Sequence, residues 1–338
     1  MKILQIANYT QGKGGISVQV GLLHKKLCEE GFSCDIISTK GTPIQRIRAV
    51  WRLLTKGRQY DVFHVHACSE RGFFPAVVGI TVGRLLKKRI VLTYHGGGAE
   101  SFFKKNTKLV RHYLTRTSVN IALSGFIGNV FKEYDLPYII IPNIIELDGR
   151  LFRKREVINP DFICARSLVE TYNIECTLKA FQIVQEEYPE ASLTILGDGP
   201  LRKSLEDFVK GNGLKNVHFT GLVKNTEIYD YLDKADIMVS SSRADNMPVS
   251  ILEGFNAGLL IIASSVGGVP YMIEDGKNGL LFRSDDAAEM ADKMLYAIRN
   301  QGDSIQMIEN AHQSLTEYTW QKSKDRLINI YKNCNVTL

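Results

Sequence analysis

Short apolar runs rich in β-branched residues alternate along the whole chain with stretches of helical periodicity. The first half has such runs at residues 2–8, 34–40 and 61–67, and the second half repeats the arrangement from residue 161 onward. Strands that alternate with helices form parallel sheets covered by helices on both faces. The pattern therefore predicts an α/β fold of two Rossmann-like, doubly wound parallel-sheet domains facing a cleft. Ligands of such sheets bind at the carboxyl ends of the strands.

The length of 338 residues also favours two domains. Residues 143–160 have little periodicity and many charges, which is typical of a linker. We therefore expect an acceptor-binding domain at 1–148, a nucleotide-binding domain at 149–318 and a C-terminal helix at 319–338 that packs back on the first domain.

The composition is that of an ordinary globular protein, with 44% hydrophobic and 23% charged residues, which excludes collagen and disordered chains. No apolar run reaches the roughly 18 residues of a spanning helix, and the N-terminal run is typical of a buried strand, not of a signal peptide. The six cysteines form no C-x-x-C pair, which favours reduced thiols over a disulfide or zinc framework. Together these features predict a cytoplasmic protein.

The charge is distributed unequally between the two halves. Residues 1–155 carry 25 Lys and Arg against 10 Asp and Glu, whereas the overall net charge is only +6. A basic half joined to an acidic half indicates that the first half meets an anionic partner.

Glycines and a histidine follow two strands of the first half. Gly12, Gly14 and Gly15 lie between the first strand and a helix, where backbone N–H groups can approach a phosphate. Their spacing matches neither the dinucleotide fingerprint nor the P-loop, so a simple tight turn is equally compatible. His95 ends a strand and precedes three glycines, a position that favours hydrogen bonding to a sugar hydroxyl or proton transfer over a structural role.

His64, His66 and Cys68 alternate along another strand. The spacing is compatible with zinc, but the chain offers no convincing fourth ligand, so a metal site is disfavoured. We expect His66, at the strand end, to point into the cleft and His64 to be structural.

The densest pattern lies between residues 240 and 270. A buried strand is followed by the loop 245–249, and a helix begins near Ser250. A diphosphate can bind at that helix N-terminus, with Glu253 reaching a ribose diol and Asp245 near the sugar. Alternatively Asp245 is only a helix cap and Glu253 a surface charge, but the apolar neighbours of Glu253 disfavour this.

In this region the chain resembles the retaining nucleotide-sugar glycosyltransferases of family 4, which have the GT-B fold. Residues 245–253 are similar to the E-x7-E element of that family, and weaker matches follow in the family's order over nearly the whole chain. These are GKGGIS at 12–17, TYHGG at 93–97, IPNIIE at 141–146, the region of Arg166, LTILGDGPL at 193–201, FTG at 219–221, EGFNAGLLIIAS at 253–264, DGKNGLLF at 275–282 and YTW at 318–320.

The resemblance implies a role for each matching residue. His95, Arg166, Asp245 and Glu253 would be catalytic, with His95 contacting the transferred sugar, Arg166 neutralising the diphosphate and Glu253 holding the ribose. The remaining donor-binding residues would be Gly14 and Gly15 at the diphosphate, Leu222 and Val223 at the base, and Asn246, Met247 and Val249 at the sugar and phosphate.

Three positions depart from the family pattern. Asp245 stands where the family usually has Glu, and Pro248 removes one N–H donor from the loop. The Lys that usually follows Arg166 is absent, because Thr171 and Tyr172 occupy that stretch. The loss of a cation facing the diphosphate puts its binding strength in doubt.

The resemblance further implies a donor reaction without a metal or other cofactor, since Arg166, the helix N-terminus and loop amides would stabilise the leaving nucleoside diphosphate. No D-x-D-like cation site follows a strand. Retention requires either same-face attack or a covalent intermediate, and the resemblance favours the first.

Basic amphipathic segments suggest where the first half meets its anionic partner. In segment 44–57, apolar residues including Trp51 form one stripe, and Arg46, Arg48 and Arg52 flank it. Segments 84–89 and 102–117 add further basic residues, the latter with Phe side chains. Such helices suit an anionic membrane surface, although each alone is equally typical of a sheet-packing helix. Nucleic acid is disfavoured because no RNA- or DNA-binding pattern is present.

The sequence therefore predicts an enzyme that transfers a hexose or N-acetylhexosamine from a UDP- or GDP-sugar. The acceptor would be a glycan or a lipid-linked sugar at the inner face of the cell membrane, in cell-surface polysaccharide synthesis, with His66 near the acceptor. Two alternatives remain open: a sugar-nucleotide epimerase on the same scaffold, and a non-catalytic sugar-nucleotide-binding partner.

Overall fold

The computed structural model describes residues 1–12, 14–147 and 151–333, and it divides the chain into two compact units. The first unit comprises Met1–Ile144 and Tyr318–Leu338, and the second comprises Ile145–Glu317. The division falls just before the boundary expected at residue 148, which itself lies outside the described residues.

The first unit is built on a six-stranded parallel sheet with the strand order β2-β1-β3-β4-β5-β6. Each strand is a short apolar run in which both faces are covered, as parallel sheets require. The strands are β1 (Lys2–Ala7), β2 (Ser33–Ser38), β3 (Val62–Ala67), β4 (Arg89–Tyr94), β5 (Val119–Ala122) and β6 (Tyr138–Ile140).

Seven α-helices accompany this sheet in the described part of the first unit. They are α1 (Gly15–Glu29), α2 (Pro43–Lys56), α3 (Phe74–Leu85), α4 (Ala99–Lys105), α5 (Thr107–Leu114), α6 (Gly125–Glu133) and α13 (Trp320–Lys332), the last numbered in chain order. Alternate strand residues divide between two cores because successive side chains point to opposite faces. Leu4 and Phe63 pack with α2 to α6, whereas Ile3 and Val62 pack with α1 and α13.

Helix α13 completes the second of these cores. Its residues Leu327, Ile330 and Tyr331 are buried against the sheet. The indole N–H of Trp320 donates to a carboxylate oxygen of Glu30 over 3.0 Å. The last described helix of the chain is therefore a structural part of the first unit.

The second unit also contains a six-stranded parallel sheet, with the order β12-β11-β10-β7-β8-β9. Its strands are β7 (Asp161–Ala165), β8 (Ser192–Leu196), β9 (Val217–Gly221), β10 (Ile237–Ser240), β11 (Leu260–Ser264) and β12 (Leu280–Phe282). Its helices are α7 (Ile174–Glu187), α8 (Arg202–Gly211), α9 (Ile228–Leu232), α10 (Val249–Ala257), α11 (Ala287–Arg299) and α12 (Gln301–Ser314).

All strands of the second sheet are parallel, but the order in which the chain adds strands reverses after β9. From β7 the chain first moves outward through β8 and β9, and it then returns to place β10 on the other side of β7. The loops that leave β7 and β10 therefore diverge at their carboxyl ends and leave a crevice, the position where ligands of open α/β sheets bind.

The segment that leads into the second unit is tied down by one buried carboxylate. Asp236 accepts from Arg155 Nε over 3.0 Å, from the backbone and side-chain amides of Asn159 over 2.8 and 2.9 Å, and from Arg153. Asp236 and Arg155 are only 2% and 4% exposed. Burial lowers the pKa of Arg155 to about 10, an effect that the charge of Arg153 adds to and Asp236 opposes.

Among the described residues, no helix combines the length and the hydropathy needed to cross a bilayer.

Candidate active site

Arg166 occupies the crevice of the second unit, because it is the first residue after β7. Its Nε and Nη2 donate to the hydroxyl of Ser240, the last residue of β10, over 3.3 and 3.2 Å. Nη2 also lies 2.9 Å from Oδ2 of Asp245, and both side chains of this ion pair are mostly buried. The structure thus brings together two of the residues predicted to be catalytic.

Tyr172 packs on the same guanidinium. The Cζ atom of Arg166 lies 5.1 Å from the centre of the Tyr172 ring, a cation–π arrangement. Lys179 in α7 is paired with Glu175 over 2.7 Å, so it is engaged elsewhere. In the stretch where the resemblance implies a second cation, this chain has an aromatic ring against Arg166.

The loop from Asp245 to Pro248 leads from β10 into α10. Asp245 Oδ1 accepts from the backbone N–H of Asn246 over 2.9 Å, and the backbone carbonyl of Asp245 accepts from Gly268 over 3.1 Å. A Cβ atom at Gly268 would lie 2.1 Å from the carbonyl oxygen of Asn246, so only glycine permits this close approach. Buried contacts therefore hold the loop in one conformation.

Helix α10 begins at Val249, and its N-cap residue Pro248 provides no side-chain cap. Asp245 does not cap the helix, because its carboxylate is directed to Arg166 and to Asn246. The alternative that Asp245 is only a helix cap is therefore wrong. The uncapped first turn presents its N–H groups and the positive end of the helix dipole on the side of the loop.

Glu253 lies one turn into α10 and is partly buried, next in sequence to the fully buried Leu252. Burial raises the pKa of its carboxyl to about 7, and the charge of Arg166 opposes this shift. Within the described ranges, Glu253 has neither a hydrogen bond nor an ion pair. A desolvated carboxyl without a protein partner is typical of a functional site, and it excludes the interpretation as an ordinary surface charge.

The turn after β9 carries the residues predicted to contact the base. Leu222 is 71% exposed, which is unusual for a large apolar side chain, and Val223 is partly exposed. Gly221, immediately before them, has a φ of 75° in the left-handed region, which allows the chain to turn sharply at the end of the strand.

The glycine turn of the first unit follows β1. Gly14 has a φ of 81° and is the N-cap residue of α1, whose first residue is Gly15. A Cβ atom at Gly14 would meet no neighbour within 4 Å, so the positive φ, not crowding, favours glycine there. The uncapped N-terminus of α1 is compatible with both the phosphate and the simple-turn hypotheses.

His95 directly follows β4, and its backbone N–H donates to the carbonyl of Ala67 over 2.8 Å. The ring lines a cavity of about 40 Å³ in the first unit, together with Gln19, Asn143 and Trp320. Its Nε2 lies 3.1 Å from Nδ1 of His66. Burial lowers the pKa of His95 to about 4, so the ring is neutral at physiological pH.

The structure corrects the expected position of His66. Its side chain is only 3% exposed, and both ring nitrogens face protein groups, Nδ1 towards His95 and Nε2 towards Gln5. The ring lines the same cavity as His95, but protein groups already occupy both of its nitrogens. The physical reason is that β3 is covered by α1 and α13 along this face.

His64 is bonded on both sides, with Nδ1 2.7 Å from the Tyr331 hydroxyl and Nε2 2.8 Å from Thr93 Oγ1. Burial lowers its pKa to about 3. These contacts join α13, β3 and β4 and give His64 the structural role that was expected.

Helix α2 presents the predicted apolar stripe to solvent. Ile44, Ile47 and Trp51 are each more than 60% exposed, with Arg48 and Arg52 beside them. Arg46, in contrast, covers the ring of Phe74, 5.0 Å from its centre. Capping of the first turn by Thr42, whose hydroxyl accepts from Gln45, shows that the helix is well defined up to this exposed end.

The two Phe residues of the segment 102–117 do not form an exposed surface. Phe102 and Phe103 are at most 4% exposed and pack in the core beneath α4. The segment divides into α4 and α5 at Asn106, and the two Phe side chains point inward. Their proposed part in membrane contact is therefore wrong.

Several residues of the site escaped the sequence-based prediction. Ser240 and Tyr172 hold Arg166, and Gln5 contacts His66. Signals were present, since Ser240 begins the densest pattern, Tyr172 stands where the usual Lys is absent, and Gln5 is a polar residue inside an otherwise apolar strand.

Two family models match the chain: glycosyl transferases group 1 over residues 151–314, and glycosyltransferase family 4 over residues 39–148. An uncharacterized glycosyltransferase of Methanocaldococcus jannaschii is 24% identical over 95% of either chain. Alpha-monoglucosyldiacylglycerol synthase of Acholeplasma laidlawii is 24% identical over 67% of this chain and 64% of its own.

Among solved structures, HepE of Anabaena in complex with UDP-glucose superimposes with a TM-score of 0.79. The identity is 18%, and the match covers 97% of this chain and 98% of that one. The two parallel sheets and this likeness confirm the predicted fold class.

Proposed function

This chain belongs to the family 4 glycosyltransferases of the GT-B fold, and from that premise we propose that it is a retaining enzyme using a UDP- or GDP-sugar. It transfers a hexose or N-acetylhexosamine to a glycan or a lipid-linked acceptor, in the synthesis of cell-surface polysaccharide. The observation that carries the proposal is the arrangement around Arg166, where a guanidinium, an uncapped helix and an unpaired carboxyl lie at the crevice of one sheet.

Each group has a place in the binding of a nucleotide sugar. Arg166 and the first turn of α10 bind the diphosphate, since a guanidinium and free N–H groups both donate to phosphate oxygens. Glu253 accepts hydrogen bonds from the ribose hydroxyls, which compensates for its desolvation. Leu222 and Val223 cover the base. The Anabaena protein with UDP-glucose supports UDP as the nucleotide.

The transfer breaks the bond between the anomeric carbon and the diphosphate oxygen, and it forms a bond to the acceptor oxygen on the same face of the sugar. The acceptor's proton passes to the departing diphosphate, so the nucleoside diphosphate leaves with the electron pair. Positive charge from Arg166 and the dipole of α10 stabilises the charge that develops on this leaving group without a metal ion.

A thermal-shift screen of nucleotide sugars tests the donor, because ligand binding to the folded state raises its stability. Transfer assays with the stabilising donor then test the site. We expect Arg166→Ala and Glu253→Ala each to lower turnover at least tenfold, about 1.4 kcal/mol. Arg299→Ala, which removes an exposed ion pair with Glu187 in the same unit, is the control. Wild-type turnover in both site variants would refute the assignment.

The same assays separate the alternatives. An epimerase would change the donor sugar in the absence of any acceptor. A non-catalytic binding partner would be stabilised by a nucleotide but would release no nucleoside diphosphate with any acceptor, including crude membrane lipid.

We further propose that the exposed stripe of α2 places the enzyme on the inner face of the cell membrane, near a lipid-linked acceptor. Ile47 and Trp51 would enter the interfacial region while Arg48 and Arg52 contact anionic headgroups. The Acholeplasma relative, named as a synthase of a glycosylated diacylglycerol, supports a lipid-linked acceptor.

Sedimentation with vesicles tests this surface. We expect binding to vesicles that contain phosphatidylglycerol, weaker binding to phosphatidylcholine, and a loss of binding in the double variant Arg48→Ser, Arg52→Ser. The matched control removes two exposed charges from the second unit, Lys203→Ser and Lys210→Ser. Equal sedimentation of both double variants would refute the proposed surface.

A further inference from the structure

A continuous chain of buried polar side chains crosses four neighbouring strands of the first unit. Gln5 in β1 lies next to Cys34 in β2, with Nε2 3.5 Å from the sulfur atom. Its Oε1 lies 3.1 Å from Nε2 of His66 in β3. His66 Nδ1 in turn lies 3.1 Å from Nε2 of His95, which follows β4. The chain therefore ends at the residue that is expected to contact sugar.

The amide group of Gln5 determines the direction of every hydrogen bond in this row of polar side chains. An amide oxygen can only accept, so His66 must carry its proton on Nε2 to bond with Gln5. A neutral imidazole then has a lone pair on Nδ1, which can only accept from His95. His95 must therefore carry its proton on Nε2, and its Nδ1 is left unprotonated.

His66 and His95, which belong to this row of hydrogen bonds, and the neighbouring His64 are all neutral. Burial is the main cause that lowers the pKa of His64, His66 and His95, and the neighbouring rings add to it for His64 and His66. The other titratable groups packed here, Cys34 and Tyr331, have pKa values raised by burial and are neutral too. Neutral rings can form only the one-donor, one-acceptor bonds on which the direction depends.

His95 Nδ1 has no hydrogen-bond partner among residues 1–12, 14–147 and 151–333. Three glycines follow His95, and a Cβ atom at Gly96 would lie only 2.9 Å from the backbone nitrogen of Ser69. The loop after His95 thus passes close to the backbone of Ser69. The ring of His95 lines the cavity of the first unit.

We propose that Gln5 and His66 are positioning residues that hold His95 in the Nε2–H tautomer, so that its Nδ1 accepts a hydrogen bond from a hydroxyl group of a bound sugar. The tautomer depends on the first unit alone, and only the identity of the ligand rests on the proposed function. In this state His95 cannot donate to a phosphate oxygen or act as a general acid through Nδ1. The opposite orientation of the Gln5 amide would reverse every bond and leave Nδ1–H as a donor.

Nitrogen-15 NMR of the histidine-labelled protein distinguishes the two states directly. The chain has only seven histidines, and His95→Gln and His66→Gln variants assign the two resonance sets. Protonated and unprotonated ring nitrogens resonate far apart, and their couplings to the ring protons identify Nδ1 and Nε2. We expect an unprotonated Nδ1 and a protonated Nε2 in His95 from pH 6 to 8. A protonated Nδ1, or an equal mixture of tautomers, would overturn the proposal.

A pair of variants tests the positioning role. Gln5→Leu removes the acceptor at nearly constant volume, so we expect mixed tautomers in His66 and His95 and about a tenfold loss of kcat. The affinity for the nucleoside diphosphate, which we place in the second unit, should stay unchanged. Tyr331→Phe is the control. It removes the hydrogen bond to His64 on the same sheet face but leaves the bonds from Gln5 to His66 and from His66 to His95 in place.

The outcomes separate this inference from the proposed function. The expected tautomer in a protein without transferase activity would leave the inference intact and refute only the proposed reaction. An active transferase whose His95 carries the proton on Nδ1, or a Gln5→Leu variant with an unchanged His95 spectrum, would refute the inference alone.

Discussion

At the scale of single residues, Glu253 shows how the site opposes stability. Burial raises the pKa of its carboxyl from the ordinary value of 4.5 to about 7 in the folded protein. Because the folded pKa is the higher one, the stability that this carboxyl contributes is fully present below pH 4.5 and is lost as the pH rises through 7. We expect Glu253→Gln to raise the free energy of unfolding by roughly 1–3 kcal/mol at pH 8 and to change it little at pH 4.5.

Urea unfolding at the two pH values checks this expectation. Glu274→Gln is the control, since that carboxylate is exposed and paired with Lys277. A variant at position 253 that is no more stable than the wild type at pH 8 would show that the carboxyl is not desolvated.

Tyr172 offers a second residue-scale test. If its ring orients Arg166, Tyr172→Phe should retain the affinity for the nucleotide sugar, whereas Tyr172→Ala should weaken it about two- to fivefold. Isothermal titration calorimetry measures both. Equal affinities in the two variants would show that stacking does not contribute to binding.

The environment of a residue could be predicted from the sequence where its local neighbours determine it, but not where distant elements of the fold do. Glu253 stands inside an apolar stretch, a local signal that correctly indicated an unusual environment. The orientation of His66 depends on which helices cover β3, and one of these, α13, is distant in sequence. Arg166 was identified through the resemblance, but its contacts with Ser240 and Tyr172 arise from the strand order, which local patterns do not specify.

At the scale of elements, the buried carboxylate of Asp236 anchors the segment that precedes β7. Asp236→Ala would leave the guanidinium of Arg155 buried without its partner, so we expect a loss of about 3–5 kcal/mol in unfolding free energy. Asp233→Ala is the matched control, because Asp233 is exposed and lies 3.9 Å from Arg153. Its loss should stay below about 1 kcal/mol. Similar effects of both substitutions would contradict the anchoring role.

Helices and strands were predicted correctly where the apolar residues of a segment follow a single spacing, either that of a helix or that of a strand. The parallel strands and helix α2 follow from local patterns that the structure confirms. The segment 102–117 failed because basic residues and aromatic residues occupy different faces of α4 and α5, so composition alone overstated the exposed apolar surface. In α2, by contrast, Trp51 shares one exposed stripe with Ile44 and Ile47, so the predicted stripe is present, and its contact with a membrane stays a prediction.

At the scale of the whole molecule, the first unit depends on α13, a helix that follows the second unit in sequence. Leu327→Ala leaves a cavity beneath α13, so we expect about 2–5 kcal/mol of destabilisation in the first unit. Hydrogen exchange resolved by residue should show faster exchange in β1 and β3 and unchanged exchange in β7 and β10. Ile195→Ala in β8 should produce the reverse pattern. Uniform loss of protection in both units would show that they unfold as one.

The return of α13 to the first sheet also has a consequence for biosynthesis. A ribosome releases residues 145–317 before it releases Trp320–Lys332. The second unit can therefore reach its native state while one face of the first sheet, including the side of His64 that bonds to Tyr331, is still uncovered. The core on that face of the first sheet is therefore completed only once residues 320–332 are available to cover it.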